Sequence, residues 1–234
     1  MRGLQFCAMR KLKLWTKRLV KFACLLAAGF YLAAAGTLLL LRWVNPPTTA
    51  LQVERRIQAL AEGRKYVKRQ VVVPLAAVPL HLRHAVIAAE DSRFYQHHGI
   101  DWEELRLVLQ ENAQRGRLGR GASTITQQLV KNLFLTDARS ILRKAVEFTL
   151  APLAELILTK NRILELYLNV VEWGPGIYGA QAAAQYHYGV PVTALSREQS
   201  ARLAAILPSP VRRKPARMNS YSAEILDRMQ RMGW

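Results

Sequence analysis

Hydrophobic positions along this chain follow two regimes. Phe22 to Leu41 is twenty consecutive residues without a charge. As a helix, that stretch spans roughly 30 Å, the hydrocarbon thickness of a bilayer. No polar face recurs along it, so it reads as a membrane span rather than a buried core helix. Beyond it, apolar residues recur at helical spacing and are interrupted by polar turns. Leu82, Ala85, Val86, Ala88 and Ala89 lead into Glu90, and Asp101 can cap a helix running to about Asn112. Thr124 with Gln127 fits a capping box ahead of the stripe Ile125, Leu129 and Leu133. Ser140 caps the next helix, in which Pro152 predicts a kink or a split. Thr159 opens Lys160–Asn169, and Ser196 with Gln199 starts a helix that Pro208 ends. Only Gln70–Pro74 is strongly β-like. The pattern predicts a mostly α domain. It has neither the strand–helix alternation nor the GxGxxG turn of the doubly wound sheets that bind sugar nucleotides.

Charge sets the orientation of the span. Residues 1–21 hold seven Lys/Arg and no acid, against Arg42 alone just after the apolar stretch. The excess of cations before the span puts the N-terminus in the cytoplasm. Ala33-Ala34-Ala35 offers a signal-peptide cleavage site, but the apolar run exceeds the roughly 7–15 residues of a signal core, which favours an uncleaved anchor. The organisation expected is a basic cytoplasmic tail over 1–21, a signal-anchor helix over 22–41, a juxtamembrane linker over 42–67 and an extracytoplasmic domain over 68–234. Asn45-Pro46-Pro47 ends the span. The whole chain carries +18; residues 43–234 still carry 26 basic groups against all 16 acids. A domain so charged prefers anionic partners: nucleic acid, phospholipid or a phosphate-bearing substrate. The cysteines, Cys7 and Cys24, fall in the tail and the span, so the outer domain relies on its core and not on disulfides.

Three clusters carry candidate chemistry. Glu90 ends an apolar helix beside Asp91. Apolar surroundings and a like charge both raise a carboxyl pKa toward the range useful for proton transfer. Two solvated acids at a helix end fit that dipeptide equally well. Gly121-Ala122-Ser123-Thr124 precedes a helix N-terminus, whose free amides and positive dipole end favour an anion. Gln127, Gln128 and Asn132 add donors and acceptors suited to sugar hydroxyls, and Lys131 adds a cation. Glu147 lies four residues after Arg143 and three after Lys144. Alone that spacing is more often a surface ion pair. With Lys131 it makes a cationic cluster suited to a pyrophosphate, in which Glu147 orients the cations or holds a divalent ion. His81 and His84 have no evident further ligands and read as structural, and no metal-ligating residues are assigned.

These segments resemble the peptidoglycan glycosyltransferases, glycosyltransferase family 51, which also supplies the glycosyltransferase domain of class A penicillin-binding proteins. Glu90, Asp91, Phe94, His97 and Gly99 match the first motif, Glu-Asp-x-x-Phe-x-x-His-x-Gly. Gly121, Ser123 through Gln128, Lys131 and Asn132 match the second, and Arg143, Lys144 and Glu147 the third. Ile163-Leu164-Glu165, Tyr167, Leu168 and Asn169 match the fourth, and the Gly176-Ile177-Tyr178-Gly179 turn with Ala182-Ala183 the fifth. Two departures stand out: Pro152, where the family continues a helix, and Tyr186-His187-Tyr188-Gly189-Val190, where a Tyr-Phe-Gly-Lys ending is usual.

The resemblance implies a lysozyme-like all-α fold with a membrane-dipping jaw. It implies an inverting enzyme that polymerises lipid II into β-1,4-linked glycan strands and releases undecaprenyl pyrophosphate. Glu90 and Glu147 are then catalytic, with Glu90 the general base. Asp91, Phe94, His97, Ser123, Thr124, Gln127, Gln128, Lys131, Asn132, Arg143, Lys144 and Asn169 are then substrate-binding. Mg²⁺ or Mn²⁺ is the divalent cation it allows, with no nucleotide cofactor. Expected partners are lipid II, the growing strand, membrane lipids and other cell-wall synthases or division proteins, at the inner membrane with the catalytic domain periplasmic. The chain ending at Trp234 is similar to the monofunctional members. A lytic transglycosylase also carries a catalytic Glu but needs no pyrophosphate-binding cations, so Lys131, Arg143 and Lys144 argue against it. A non-enzymatic envelope scaffold would tolerate loss of Glu90. Nucleic-acid binding rests on charge alone and conflicts with the topology.

Overall fold

The structure, a computed structural model, describes the backbone of residues 2–115, 121–138 and 140–234, with side chains from residue 15 onward except at 115. It divides into two compact units, Met1–Leu40 and Leu41–Trp234. The first is helix α1, Arg2–Leu40, so the basic stretch and the apolar stretch share one continuous helix. Within it, Trp15–Leu40 is long and apolar enough to cross a membrane.

The second unit is mostly α, as its periodicity predicts. Its helices are α2 (Ala50–Ala61), α3 (Leu80–Glu90), α4 (Trp102–Arg115), α5 (Ile125–Phe134), α6 (Ile141–Ile157), α7 (Lys160–Val170), α8 (Ala180–Tyr188), α9 (Arg197–Ile206) and α10 (Asn219–Arg231). Thr124 and Ser196 each close a capping box with Gln127 and Gln199, and Ser140 and Thr159 cap α6 and α7 through their side-chain oxygens. Asp101 Oδ1 accepts the Glu104 N–H at 2.9 Å at the start of α4. These caps satisfy amide donors that have no partner inside their own helix.

Two groups of helices make the unit. In one, α3, α9 and α10 pack together, burying Leu82, Val86, Leu203, Ile225 and Met229. In the other, α5 packs on α2, α6 and α7, burying Ile125, Leu129, Leu150, Ile163 and Leu166. Between the elements lies a small sheet of three short strands, β1 (Arg69–Gln70), β2 (Glu172–Gly174) and β3 (Ile177–Tyr178), in the order β1-β3-β2. β1 runs parallel to β3 with Arg69 opposite Ile177, and β2 runs antiparallel to β3.

Three expectations need correction. The β-like run over Val71–Val73 is not strand. The Asn169 side chain takes its place as hydrogen-bond partner: Oδ1 accepts the Val73 N–H at 2.9 Å and Nδ2 donates to Val73 O at 2.8 Å. Helix α2, read as part of a linker, is instead part of the folded unit. Its Leu51, Gln52 and Ala59 are buried, and Arg55 pairs with Glu172 at 3.2 Å. Helix α6 runs through Pro152 without a split. Leu150, Ala151 and Ala154 around it are fully buried, so tertiary packing carries the helix past one lost hydrogen bond. The glycine-rich loop over 116–120 lies outside the described residues.

The chain after Glu90 is held against α6 at one tight point. Gly99 has φ +90°, and a Cβ there would meet the Ala151–Pro152 peptide at 2.7–2.8 Å. Gly63 also has a positive φ, +64°, but nothing lies near its missing Cβ. Gly63→Ala therefore costs about 1 kcal/mol from backbone strain alone. Gly99→Ala adds a backbone clash and should cost about 3 kcal/mol or more. Thermal melts of the two variants in detergent check this, at about 2–4 °C of Tm per kcal/mol.

Candidate active site

A cleft of about 870 Å³ opens between the two helix groups. Its walls are the end of α3 (Ala88 to Ser92), the entry to α5 (Gly121 to Thr124, with Gln128 and Lys131) and the α9–α10 side (Leu207, Pro208, Tyr221, Arg228). The cleft thus has a carboxylate on one group of helices and an amide and an ammonium on the other.

Glu90 is at the last position of α3 because the helix stops there: Asp91 adopts φ −163° and turns the chain away. Glu90 Oε2 accepts from Gln128 Nε2 at 2.7 Å, while Oε1 is buried with no hydrogen-bond partner. Burial pushes the Glu90 pKa up, and Asp91 pushes the same way. The Gln128 hydrogen bond and the Arg213 and Lys131 charges oppose it. Gln128 is itself oriented, since Tyr167 Oη from α7 donates to its Oε1 at 2.9 Å and leaves its N–H₂ facing Glu90. Tyr167 is fully buried, and burial beside Glu90 raises its phenol pKa well above the usual value, so it remains a donor.

Asp91 ties the two walls together. Its carboxylate accepts the Ile125 N–H at 2.9 Å, at the start of α5, and His97 Nε2 at 2.9 and 3.1 Å. Thr124 Oγ1 donates to Gly99 O at 2.6 Å across the same junction. The entry to α5 is therefore fixed to the chain that leaves α3.

The cations lie along the α5 side. Lys131 lines the cleft, and burial lowers its pKa. Asp137, with Oδ1 3.8 Å from Nζ, opposes that shift. One layer farther out, Lys144 Nζ donates to Ser123 Oγ at 2.9 Å and to Glu147 Oε2 at 3.0 Å. Partial burial, with Arg143 and Lys131 nearby, brings its pKa down to about 8. Glu147 is buried and pairs with Arg143 through its other oxygen.

The structure thus gathers Glu90, Asp91, Ser123, Thr124, Gln128 and Lys131 at one cleft, with Arg143, Lys144 and Glu147 linked to it through Ser123. Others of the expected substrate-binding residues lie behind it. Phe94 is fully buried under the Lys160 ammonium, and His97 is buried on Asp91. Gln127 closes the cap of α5, Asn132 is buried, and Asn169 clamps Val73. Sequence reading missed Tyr167 as the residue that orients Gln128. It also missed the contribution of Arg213, Tyr221 and Arg228 from the C-terminal segment. The basic pair Arg212-Arg213 after Ser209-Pro210 was the available signal.

Among the described residues, neither carboxylate cluster fits a divalent cation. Both oxygens of Glu147 are taken by cations. The other grouping, Asp91, His97 and Asp101, is already joined by the His97–Asp91 pair, the Ile125 N–H and the Arg93–Asp101 contact at 3.3 Å.

A family model described as Transglycosylase matches residues 55–232. The chain is 45% identical over 212 residues to a protein named biosynthetic peptidoglycan transglycosylase from Pseudomonas putida strain W619, covering 89% of this chain and 87% of that one. Proteins of the same name from Pseudomonas entomophila strain L48 and Pseudomonas aeruginosa PAO1 are 46% and 45% identical. The first alignment covers 86% of this chain and 84% of that protein, the second 82% and 83%. The matched region begins inside α2, in agreement with the packing of that helix into the folded unit. With its lysozyme-like, mostly α fold and its match over more than half its length, the chain belongs to the transglycosylase family and is a peptidoglycan glycosyltransferase.

Proposed function

We propose that this cleft polymerises lipid II, with Glu90 taking the proton. One observation carries the reading: a half-satisfied, buried carboxylate faces a cation-lined wall across a cleft. The acceptor GlcNAc 4-hydroxyl loses its proton to Glu90 as its oxygen attacks the donor MurNAc anomeric carbon. The bond from that carbon to the pyrophosphate breaks on the opposite face, so an α-linkage becomes β-1,4. Lys131, Lys144 and Arg143 stabilise the charge that develops on the leaving undecaprenyl pyrophosphate. Glu147 holds Arg143 and Lys144 in place and leaves their remaining N–H groups for the phosphates. Gln128, fixed by Tyr167, keeps Glu90 aimed into the cleft.

The apolar helix suits the lipid substrate. We propose that α1 anchors the chain in the inner membrane with its basic end in the cytoplasm and the cleft on the periplasmic side. The seven cations of residues 1–21 support this orientation. An alkaline phosphatase fusion at Trp234 should be active; an inactive fusion contradicts it.

The direct test is incubation of the detergent-solubilised full chain with labelled lipid II, followed by gel separation. Expected is a ladder of glycan that muramidase collapses. Glu90→Gln should cut turnover by about 10²–10⁴-fold, the usual worth of a positioned base, with substrate binding retained. Lys131→Ala should weaken both binding and turnover. Near-normal polymerisation by Glu90→Gln contradicts the base assignment.

The same burial has a stability consequence. A raised pKa means the fold prefers the neutral carboxyl, so stability is lost as pH rises through the folded value. Glu90→Gln should therefore melt higher than the parent at neutral pH. The gain should vanish below about pH 4.5, where the folded and unfolded chains both hold the proton. Melts at the two pH values check the sign.

The pH profile of kcat/KM should be a bell. Its acid limb reports Glu90, above the ordinary carboxylate value of 4.5. Its alkaline limb falls at about pH 8, where Lys144 loses its charge. Bound pyrophosphate stabilises the ammonium, so the alkaline limb of kcat should lie higher than that of kcat/KM.

A further inference from the structure

Helix α2 is tied to the loop after α5 at one carboxylate, Asp137. Arg55 Nη2 binds Asp137 Oδ2 at 3.0 Å, and Glu54 Oε2 accepts the Asp137 N–H at 2.7 Å. Both contacts come from α2 and hold the loop between α5 and α6. The other oxygen of Asp137 faces Lys131 Nζ at 3.8 Å. Arg55 is fixed in turn by Glu172 at 3.2 Å and by Gln58 at 3.2 Å, so α2, the sheet and the loop form one charged network.

We propose that Asp137 is a positioning residue for Lys131, held in place by Glu54 and Arg55 of α2. This rests on the reading of Lys131 as a pyrophosphate-binding cation. Lys131 is half-buried, and cations surround it: Arg55 from α2, and Arg143 and Lys144 from α6. Two acids face it, Glu90 from α3 and Asp137. α7 brings the neutral Tyr167 to this region, through Gln128. Glu90 is committed to proton transfer and alternates in charge during turnover. Asp137 takes no part in that transfer and is then the acid that holds Lys131 in place before substrate arrives. The loop is also tied to a second cation of the site, since Arg143 Nε donates to Ala138 O at 2.5 Å. A shift of α2 would thus reach two of the cations that bind the leaving group.

The test reads Lys131 itself. The pH dependence of its acetylation by acetic anhydride, followed by peptide mass spectrometry on the full chain in detergent, gives its titration whether or not the protein turns over. Asp137→Asn should move that titration to lower pH, and Asp137→Glu should restore it. Arg55→Gln should move it less, because Asp137 stays and loss of the nearby Arg55 charge opposes the effect of losing its anchor. Glu62→Gln removes an acid paired with exposed Arg64 and should leave it unmoved. In parallel, Asp137→Asn should raise KM for lipid II several-fold more than it lowers kcat. An unmoved Lys131 titration in Asp137→Asn, with only a lowered Tm, overturns the proposal. If Lys131→Ala polymerises normally, the pyrophosphate role of Lys131 has failed instead. If Lys131→Ala is impaired and Asp137→Asn matches the parent in both readouts, the proposal alone has failed.

Discussion

The carboxylate of Asp91 is the interaction on which the site depends. It accepts the first amide of α5 and the His97 imidazole, and so joins the end of one helix group to the start of the other. A buried acid is stable only when its hydrogen-bonding capacity is met. Here it is met by groups from both sides of the junction, and the Thr124–Gly99 hydrogen bond repeats the tie nearby. With that junction fixed, Glu90 and Gln128 lie within 2.7 Å of each other although they are 38 residues apart in sequence. Glu90 and the wall it faces are therefore held by one set of ties.

The site shows a trade between stability and chemistry. Glu90 Oε1 is buried without a partner, and Lys131 is a half-buried cation among cations. Each arrangement costs folding energy and gives reactivity or anion affinity in return. The rest of the unit compensates through packing: α7 buries Ile163, Leu164, Leu166, Tyr167 and Leu168, and α3 buries an unbroken run from Ala85 to Ala88.

Much of this was legible in the chain because it is written locally. The capping boxes at Thr124 and Ser196 depend on residues three apart, and both form. The mostly α character follows from apolar spacing, and the Glu90 helix ends where its periodicity ends. What the sequence hid was non-local. Val71–Val73 carries a β-like composition, yet its partner is a side chain, Asn169, and no propensity reports that. Pro152 breaks an isolated helix but not one whose neighbours are fully buried. The motif residues Phe94, His97 and Asn169 make contacts that no local pattern reports: Phe94 and His97 are buried, His97 on Asp91, and Asn169 holds Val73. Tyr167 and Arg213 were hidden for the converse reason: their relation to Glu90 appears only when distant segments meet.

Burial in this cleft raises the Glu90 pKa, the property that its proposed role as proton acceptor needs. Difference infrared spectroscopy of the full chain against Glu90→Gln, across a pH titration, isolates its carboxyl band. The account predicts a protonated Glu90 carboxyl that persists above the ordinary value of 4.5 and ionises before the pH of turnover. A Glu90 band that is fully ionised at or below that value would contradict it.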